Sequence, residues 1–577
     1  MSKVAADTAA AFCATLADEW WRGGVRDAVV CPGSRSTPMA LALLRHGGLR
    51  VSVRLDERGA GFFAVGLALG SGRPTVVLTT SGTAAVELHA SVVEAHHAGV
   101  PLIVCTADRP PEAHDVGAPQ TIDQVHLFGR AVRWFSDLGV PDEAARPMWR
   151  SFASRALAEA ASGPVGPGPV HLNLPFREPL LGEPGELPPA RTEQRAWHEI
   201  GGRAASDLGE LADHLRAGAR GIIVVGRCPS ELAAPLNALG AELGWPVLAD
   251  PPSGCRLAGP QVVGAADALL RDEGFAGEMM PEVVLRIGDP WASKVLAGWL
   301  SKTAAAGAVH IAVDSDWGWK DPGREVSLRT GGLSPTGPVG ARSADGWLAR
   351  WAAAEAAAQG AIDRVLGGHS EATEPGIARA LYSHVPTEGC LFASSSMPVR
   401  DLEWFGRPRA APPRVVANRG ANGIDGVVST TLGLAASGVA GGVFGLLGDL
   451  AVLHDASGLV RPVSGAPPMA AVITVLDNEG GGIFNFLPQA SELAEAEFER
   501  LFGTPQLPAV AELVGACGYF VREITEAAEF EPALAAAGAA AAAAGLPAFV
   551  VVDTERRANV AVHGEIEAAV REALKDL

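Results

Sequence analysis

The residue types best suited to chemistry lie in two apolar runs in the last third of the chain. GVFGLLGDLAVLHDASGLV ends its first strand-like stretch at Gly448-Asp449, and MAAVITVLDNEGGGIF ends its own at Asp477-Asn478. Parallel neighbouring strands would put Asp449 and Asn478 on one carboxyl edge of a sheet, where open α/β sheets bind ligands. A hard cation such as Mg²⁺ accepts carboxylate, amide and carbonyl oxygens together with phosphate oxygens from a ligand. The pair therefore predicts a metal-anchored diphosphate. An aspartate in this position also caps the helix that follows it, and the two roles are compatible.

A second group lies in the first third. Glu57, in LDERGAG, stands where the short strand VSVRL turns into the helix AGFFAVGLALG. Taken alone, an acid at a helix start simply complements the helix dipole. Three loops accompany it: CPGSRSTP with Ser34 and Arg35, TTSGTAAVELHASVVEA with Ser81, Gly82 and Thr83, and TADRPPE with Arg109. Each follows a strand-like run, so all would share one sheet edge with Glu57. His96-His97 falls late in a helix ending at Gly99. Histidines in a last turn favour the helix dipole, and the pair is read as structural rather than as acid–base groups.

The elements that must position these residues alternate along the whole chain, apolar strand with helix, which predicts parallel α/β sheets. The first set is VRDAVVCPG, RPTVVLTTSG, VPLIVCTADRP and GPVHLNLPF. EPLLGEPGELPPA, from Glu178 to Ala190, has the composition of a linker. The middle set is GIIVVGRCP, PVLADPPSG, VVLRIGDP and VHIAVDSD, and it lacks a complete Gly-x-Gly-x-x-Gly, so dinucleotide binding is weakly indicated. A second boundary falls around Ala352 to His369. The last set is CLFASSSMPVR, RVVANRGANGIDG, GVFGLLGD, AAVITVLDN and PAFVVVD. The reading is α/β, with three doubly wound parallel-sheet domains over 1–185, 190–355 and 370–577.

Composition bounds the function further. A chain of 577 residues accommodates roughly three or four domains of about 150 residues. Its net charge of −19 argues against nonspecific nucleic-acid binding. No apolar run reaches the roughly 20 residues of a membrane span, so no membrane insertion is expected. MSKVAADTAAAFCATLADEW reads as an amphipathic helix rather than a secretory signal. Seven scattered cysteines form no Cys-x-x-Cys pair, which fits a reduced, cytoplasmic setting.

CPGSRSTP, LDERGAGFFAVGLA, TADRPPE with GAPQTI, ANRGANGIDG and GDL…DNEGGGIF, in that order, resemble the thiamine-diphosphate enzymes. Among these the chain is similar to the carbon–carbon-bond-forming transferases of menaquinone biosynthesis, and the resemblance covers nearly its whole length. It implies a pyrimidine-binding domain (1–185), a central domain (190–355) and a diphosphate- and metal-binding domain (370–577). It also implies a homodimer or homotetramer with active sites between subunits, thiamine diphosphate, and Mg²⁺ with Mn²⁺ as an alternative. By motif position Glu57 is the acid beside N1′ of the aminopyrimidine, and partial desolvation would raise its pKa. Ser81, Gly82, Ile424, Asp449, Leu450, Ile483 and Phe484 match the remaining coenzyme contacts. Asp449, Asn478 and the carbonyl of Gly480 match the metal ligands. Ile424 would prop the coenzyme in its bent form, although isoleucine is also an ordinary core residue. The chain reads GDL where many relatives have GDG, and DN where many have NN.

The reaction so implied removes CO₂ from 2-oxoglutarate and adds the resulting succinyl carbanion equivalent to isochorismate. Both substrates carry carboxylates, and paired arginine–carboxylate hydrogen bonds supply energy and orientation. The resemblance assigns substrate contacts to Ser34, Arg35, Arg109, Gln120, Lys294, Ser396, Arg400, Arg419, Phe484 and Leu487. Val295 stands where some relatives carry a second cation, and Pro119 where some carry asparagine. Two alternatives remain: a relative acting on another 2-oxo acid, and a protein that binds the coenzyme without turnover.

Overall fold

Apolar runs that end in Gly or Asp become parallel strands covered on both faces, as their near-continuous hydrophobicity requires. The computed structural model describes residues 3–198, 206–207, 215, 219–289, 291–313, 319–331, 333–334 and 344–577. The acidic end of VHIAVDSD, from Asp314, lies outside the described residues. Three six-stranded sheets are present, and a two-stranded pair joins Ser206–Asp207 to Leu333–Ser334.

The first sheet runs Arg50–Val53, Asp27–Val30, Thr75–Thr79, Leu102–Asp108, Pro169–Pro175, Trp134–Asp137. The third runs Arg414–Val416, Cys390–Ala393, Val443–Gly448, Ala471–Asp477, Ala548–Asp553, Phe520–Ile524. Counted along the chain, both repeat the order 2-1-3-4-6-5. The middle sheet differs. Its strands run Val262–Val263, Val247–Ala249, Gly221–Val225, Val283–Ile287, Val309–Val313, Leu328–Thr330, the order 3-2-1-4-5-6 familiar from dinucleotide folds. The described pairings in all three sheets are parallel.

By compactness the chain divides into two units. The first comprises Met1–Gly202, Asn418–Val439 and Ala451–Ala471. The second comprises Arg203–Ala417, Ala440–Leu450 and Val472–Leu577. Within the first unit the helix Glu57–Ser71 starts on Asp56, whose side chain accepts the Arg58 N–H at 3.1 Å. It packs against the helix Val427–Ala436 through glycine. A Cβ on Gly66 would sit 2.1 Å from the Thr430 carbonyl oxygen and 2.9 Å from the Gly433 Cα. The two backbones thus touch with no side chain between them. Leu16, Trp20, Ile103, Trp149 and Phe176 belong to the buried core of this unit.

In the second unit the C-terminal helix Arg556–Leu574 packs on the helix Trp347–Leu366. Their shared core includes Phe275, Trp299, Trp347, Trp351, Val562 and Ile566. Arg256, fully buried, donates to the carbonyls of Ala249 at 2.7 Å and Gly264 at 3.1 Å, and to those of Glu403 and Gly406. These bonds satisfy a buried charge that would otherwise be costly, and they tie the second sheet's loops to the helix Met397–Phe405.

Candidate active site

The second unit carries an oxygen-lined edge. Strands Val443–Gly448 and Ala471–Asp477 are neighbours, so their carboxyl ends bring Asp449 and the turn after Asp477 together. Asp449 opens the helix Asp449–His454 and is 5% exposed. Its Oδ2 accepts the Gly480 N–H at 2.7 Å. Gly480 has a φ of 146°, and a Cβ there would lie 2.0 Å from the Gly503 carbonyl oxygen. Only glycine allows this turn to close against its neighbour. The Gly480 carbonyl accepts the Gly482 N–H at 3.0 Å.

Asn478 is 9% exposed. Its Nδ2 donates to Glu374 Oε1 at 2.7 Å, while its Oδ1 is buried without a hydrogen-bond partner. Buried polar atoms are normally paired, so this oxygen is free to accept a ligand's hydrogen or a cation. The electrostatics agree. Burial pushes the Asp449 carboxyl up to about 7; the Leu450 and Gly480 backbone N–H groups oppose the shift, and the nearby Asp477 adds to it. Burial likewise pushes Glu374 up to about 8, with Asp401 and Asp449 contributing. Buried carboxylates without countercharge are costly, and a divalent ion here would supply the missing charge. Among the described residues no cluster of three or more His, Cys, Asp or Glu could hold a metal. The donors here are instead a carboxylate, an amide oxygen and a carbonyl, an all-oxygen set that suits Mg²⁺.

Leu450 is half-buried beside Asp449, and Ile483, Phe484 and Leu487 are half-buried on and after the short turn Gly482–Phe486. Phe484 is held by Phe502, with ring centroids 5.3 Å apart. Ser396 caps the helix Met397–Phe405 at a φ of 74°, and its carbonyl accepts from Arg400 Nη1 at 2.6 Å. A positive φ is unusual for serine, and the loop follows the carboxyl end of strand Cys390–Ala393. Lys294 is the exposed first residue of the helix Lys294–Ala305.

The first unit carries a cationic edge. Ser81 Oγ accepts from Arg109 Nη1 at 2.7 Å and donates to the Gln120 carbonyl at 2.9 Å. Gln120 Nε2 returns a bond to the Ser81 carbonyl at 3.0 Å. Gly82, at a φ of 83°, donates its N–H to Gln124 Oε1 at 3.0 Å. Arg35 is buried and donates to the Phe176 carbonyl at 2.9 Å, and it pairs with Glu178 at 3.2 Å. Desolvation and the adjacent Arg35 charge both push the Arg109 guanidinium down, so two cations lie side by side. Ser34 is exposed on the same loop as Arg35. Glu57 opens its helix half-buried; desolvation first, then Asp56 and Glu87, raise its carboxyl above the usual range.

Arg419 and Ile424 lie on the segment before the helix Val427–Ala436, and both are half-buried. Ile424 is thus not a core residue. Glu94, 2% exposed, clamps this segment: its two oxygens accept the Gly420 N–H at 2.8 Å and the Ala421 N–H at 2.6 Å. His96 sits in the last turn of His89–Ala98, where its Nδ1 lies 2.9 Å from Arg133 Nη1. Burial and that arginine push it down to about 4, which favours the neutral form.

Ser81, Arg109 and Gln120 are therefore brought together, as are Asp449 and Gly480, and Ser396 and Arg400. Glu94, Gln124 and Glu374 were not foreseen. Each reaches a partner distant in sequence, and Thr373-Glu374-Pro375 reads locally as nothing more than a helix start.

Three parallel α/β sheets with these two edges match the architecture of thiamine-diphosphate enzymes. The family profile described as "Thiamine pyrophosphate enzyme, N-terminal TPP binding domain" matches residues 8–127, and "Middle domain of thiamine pyrophosphate" matches residues 194–393. Among curated proteins, the chain is similar to the 2-succinyl-5-enolpyruvyl-6-hydroxy-3-cyclohexene-1-carboxylate synthase of Chloroflexus aurantiacus, with 46% identity over 86% of each chain. It is 40% identical to the synthase of that name from Thermobifida fusca, over 98% of this chain and 99% of that one. The synthase of Geobacillus kaustophilus is 42% identical over 87% of this chain and 88% of its own. The chain belongs to this family of 2-succinyl-5-enolpyruvyl-6-hydroxy-3-cyclohexene-1-carboxylate synthases. Among the described residues no helix is long and apolar enough to cross a membrane.

Proposed function

We propose that this chain decarboxylates 2-oxoglutarate and transfers the succinyl unit to isochorismate. The products are 2-succinyl-5-enolpyruvyl-6-hydroxy-3-cyclohexene-1-carboxylate and CO₂, in menaquinone biosynthesis. The three sheets correspond in this reading to a pyrimidine-binding domain (1–185), a central domain (190–355) and a diphosphate-binding domain (370–577). The supporting observation is the buried, unpartnered Oδ1 of Asn478 on the same edge as Asp449.

Asp449, Asn478 and the Gly480 carbonyl would hold Mg²⁺, or Mn²⁺ in its place, and through it the diphosphate. Thiamine diphosphate, when bound, supplies a nucleophilic carbon that also accepts the electron pair left by CO₂. Glu57, its carboxyl raised by desolvation, would share a proton with the aminopyrimidine N1′ of the bound coenzyme. Arg35 and Arg109, with Ser34 and Gln120, orient substrate carboxylates, while Ser81 and Gly82 contact the coenzyme. Ser396, Arg400, Arg419 and Lys294 are the further substrate contacts in this reading. Ile424 would prop the coenzyme in its bent form, and Leu450, Ile483, Phe484 and Leu487 would line the pocket around it. The active unit is a homodimer or homotetramer in which Glu57 of one subunit serves the metal edge of another.

Incubation with thiamine diphosphate, Mg²⁺, 2-oxoglutarate and isochorismate, followed by mass detection of the adduct, tests the proposal. An adduct that requires all four components is expected. CO₂ release with isochorismate untouched would indicate a decarboxylase, and no turnover of any 2-oxo acid would indicate a binding protein.

A further inference from the structure

A carboxamide is nearly symmetric in shape, but only its oxygen can bind a hard cation. Something must therefore choose which end of Asn478 faces the metal. We propose that Glu374 is the positioning residue that makes this choice, holding Nδ2 so that Oδ1 faces the cation. The inference rests on the metal reading above.

The geometry is specific. Glu374 is 1% exposed, so water does not replace it. Its Oε1 lies 2.7 Å from Asn478 Nδ2 and also accepts from Thr554 Oγ1 at 3.3 Å. A flipped amide would give up the bond to Oε1 and turn its N–H hydrogens toward the cation. Glu374 is itself fixed, as the first residue of the helix Glu374–His384, with Thr373 capping and Pro375 next. Thr554 is held by its N–H, which donates to the Asp477 carbonyl at 2.9 Å. Gly482 completes the slot: a Cβ there would lie 2.7 Å from Asn478 Nδ2. The amide thus has one seat, with its nitrogen on Glu374 and its oxygen unpartnered.

The test measures Mn²⁺ affinity by electron paramagnetic resonance of the free ion, in the full-length protein with thiamine diphosphate present. Glu374→Ala is expected to weaken Mn²⁺ binding by roughly 10- to 100-fold, the usual effect of losing a residue that orients a ligand. Glu374→Gln can present either an oxygen or an NH₂ group to the amide, so it should bind Mn²⁺ more weakly than wild type and more tightly than Glu374→Ala. The decisive variant adds Asn478→Asp to Glu374→Ala. A carboxylate needs no orienting, so Mn²⁺ affinity should recover. Asn478→Asp alone, which faces Glu374 with a second carboxylate, should bind more weakly than the double variant. A merely structural role for Glu374 gives no such rescue. Wild-type affinity in Glu374→Ala, or no recovery in the double variant, would overturn the inference. Asp449→Ala separates it from its foundation: if that variant also binds Mn²⁺ as tightly as wild type, the metal site itself is wrong and both fall.

Discussion

At the scale of single residues, function depends on charge held in the wrong environment for water and the right one for a coenzyme. Glu57 is raised by burial and by neighbouring acids, so it can share a proton rather than surrender it. Glu57→Gln should retain thiamine diphosphate, by fluorescence titration, yet lose turnover by roughly two to four orders of magnitude, the range for a positioned proton-transfer group. Wild-type-like turnover would remove that role. Arg109 is fixed by Ser81 and destabilised as a cation by burial and then by Arg35. Arg109→Ala should raise KM for a carboxylate substrate by roughly 10- to 100-fold, equivalent to a charged hydrogen bond of about 1.5–3 kcal/mol. Unchanged KM for both substrates would place the arginine outside the substrate site. Asp449 and Asn478 were legible in sequence because each ends an apolar run. Glu374 and Glu94 were not, because their partners lie 104 and 326 residues away. Hydrogen bonds of that reach leave no local pattern.

At the scale of elements, the strands and their division among three sheets were legible, and the strand order within each sheet was not. Near-continuous apolar runs ending in Gly or Asp announced parallel strands, and these runs fall on the strands of the three sheets. The distinct order of the middle sheet depends on which crossovers the chain takes, which periodicity does not encode. Nor does local pattern reveal that Asn418–Val439 groups with the first unit. That grouping comes from glycine-to-glycine contact of two helices, and a glycine in a helix looks locally like a defect. Gly66→Ala should therefore cost about 1–3 kcal/mol by overpacking against rigid backbone, seen as a lowered melting temperature. Gly360→Ala is the contrast, since a Cβ there meets only the end of Arg364, at 3.7 Å. It should be neutral or stabilise by up to about 1 kcal/mol. Equal effects from the two substitutions would contradict the close helix contact.

At the scale of the whole molecule, two properties follow from buried ionisable groups and from the proposed metal site. His171 is buried beside Thr106, with Nε2 2.8 Å from its hydroxyl, and burial pushes it down to about 3. The folded state keeps this imidazole neutral while the unfolded chain protonates it below its ordinary pKa of 6.5. Its effect is absent above that pH and destabilises increasingly as pH falls toward the folded value, by about 1.4 kcal/mol per pH unit. Thermal unfolding of wild type and His171→Gln should diverge on acidification, with wild type losing more; parallel curves would contradict a neutral buried histidine. Dialysis against a chelator should abolish activity, and Mg²⁺ should restore it; full activity in the metal-free protein would contradict the oxygen-lined edge. The most direct test is crystallographic, with thiamine diphosphate and Mn²⁺ present and anomalous scattering used to find the ion. The account predicts a peak at about 2.0–2.3 Å from Asp449 and Asn478 Oδ1, with the diphosphate on its far side. Coenzyme bound with that edge empty, or an ion held by other residues, would contradict it.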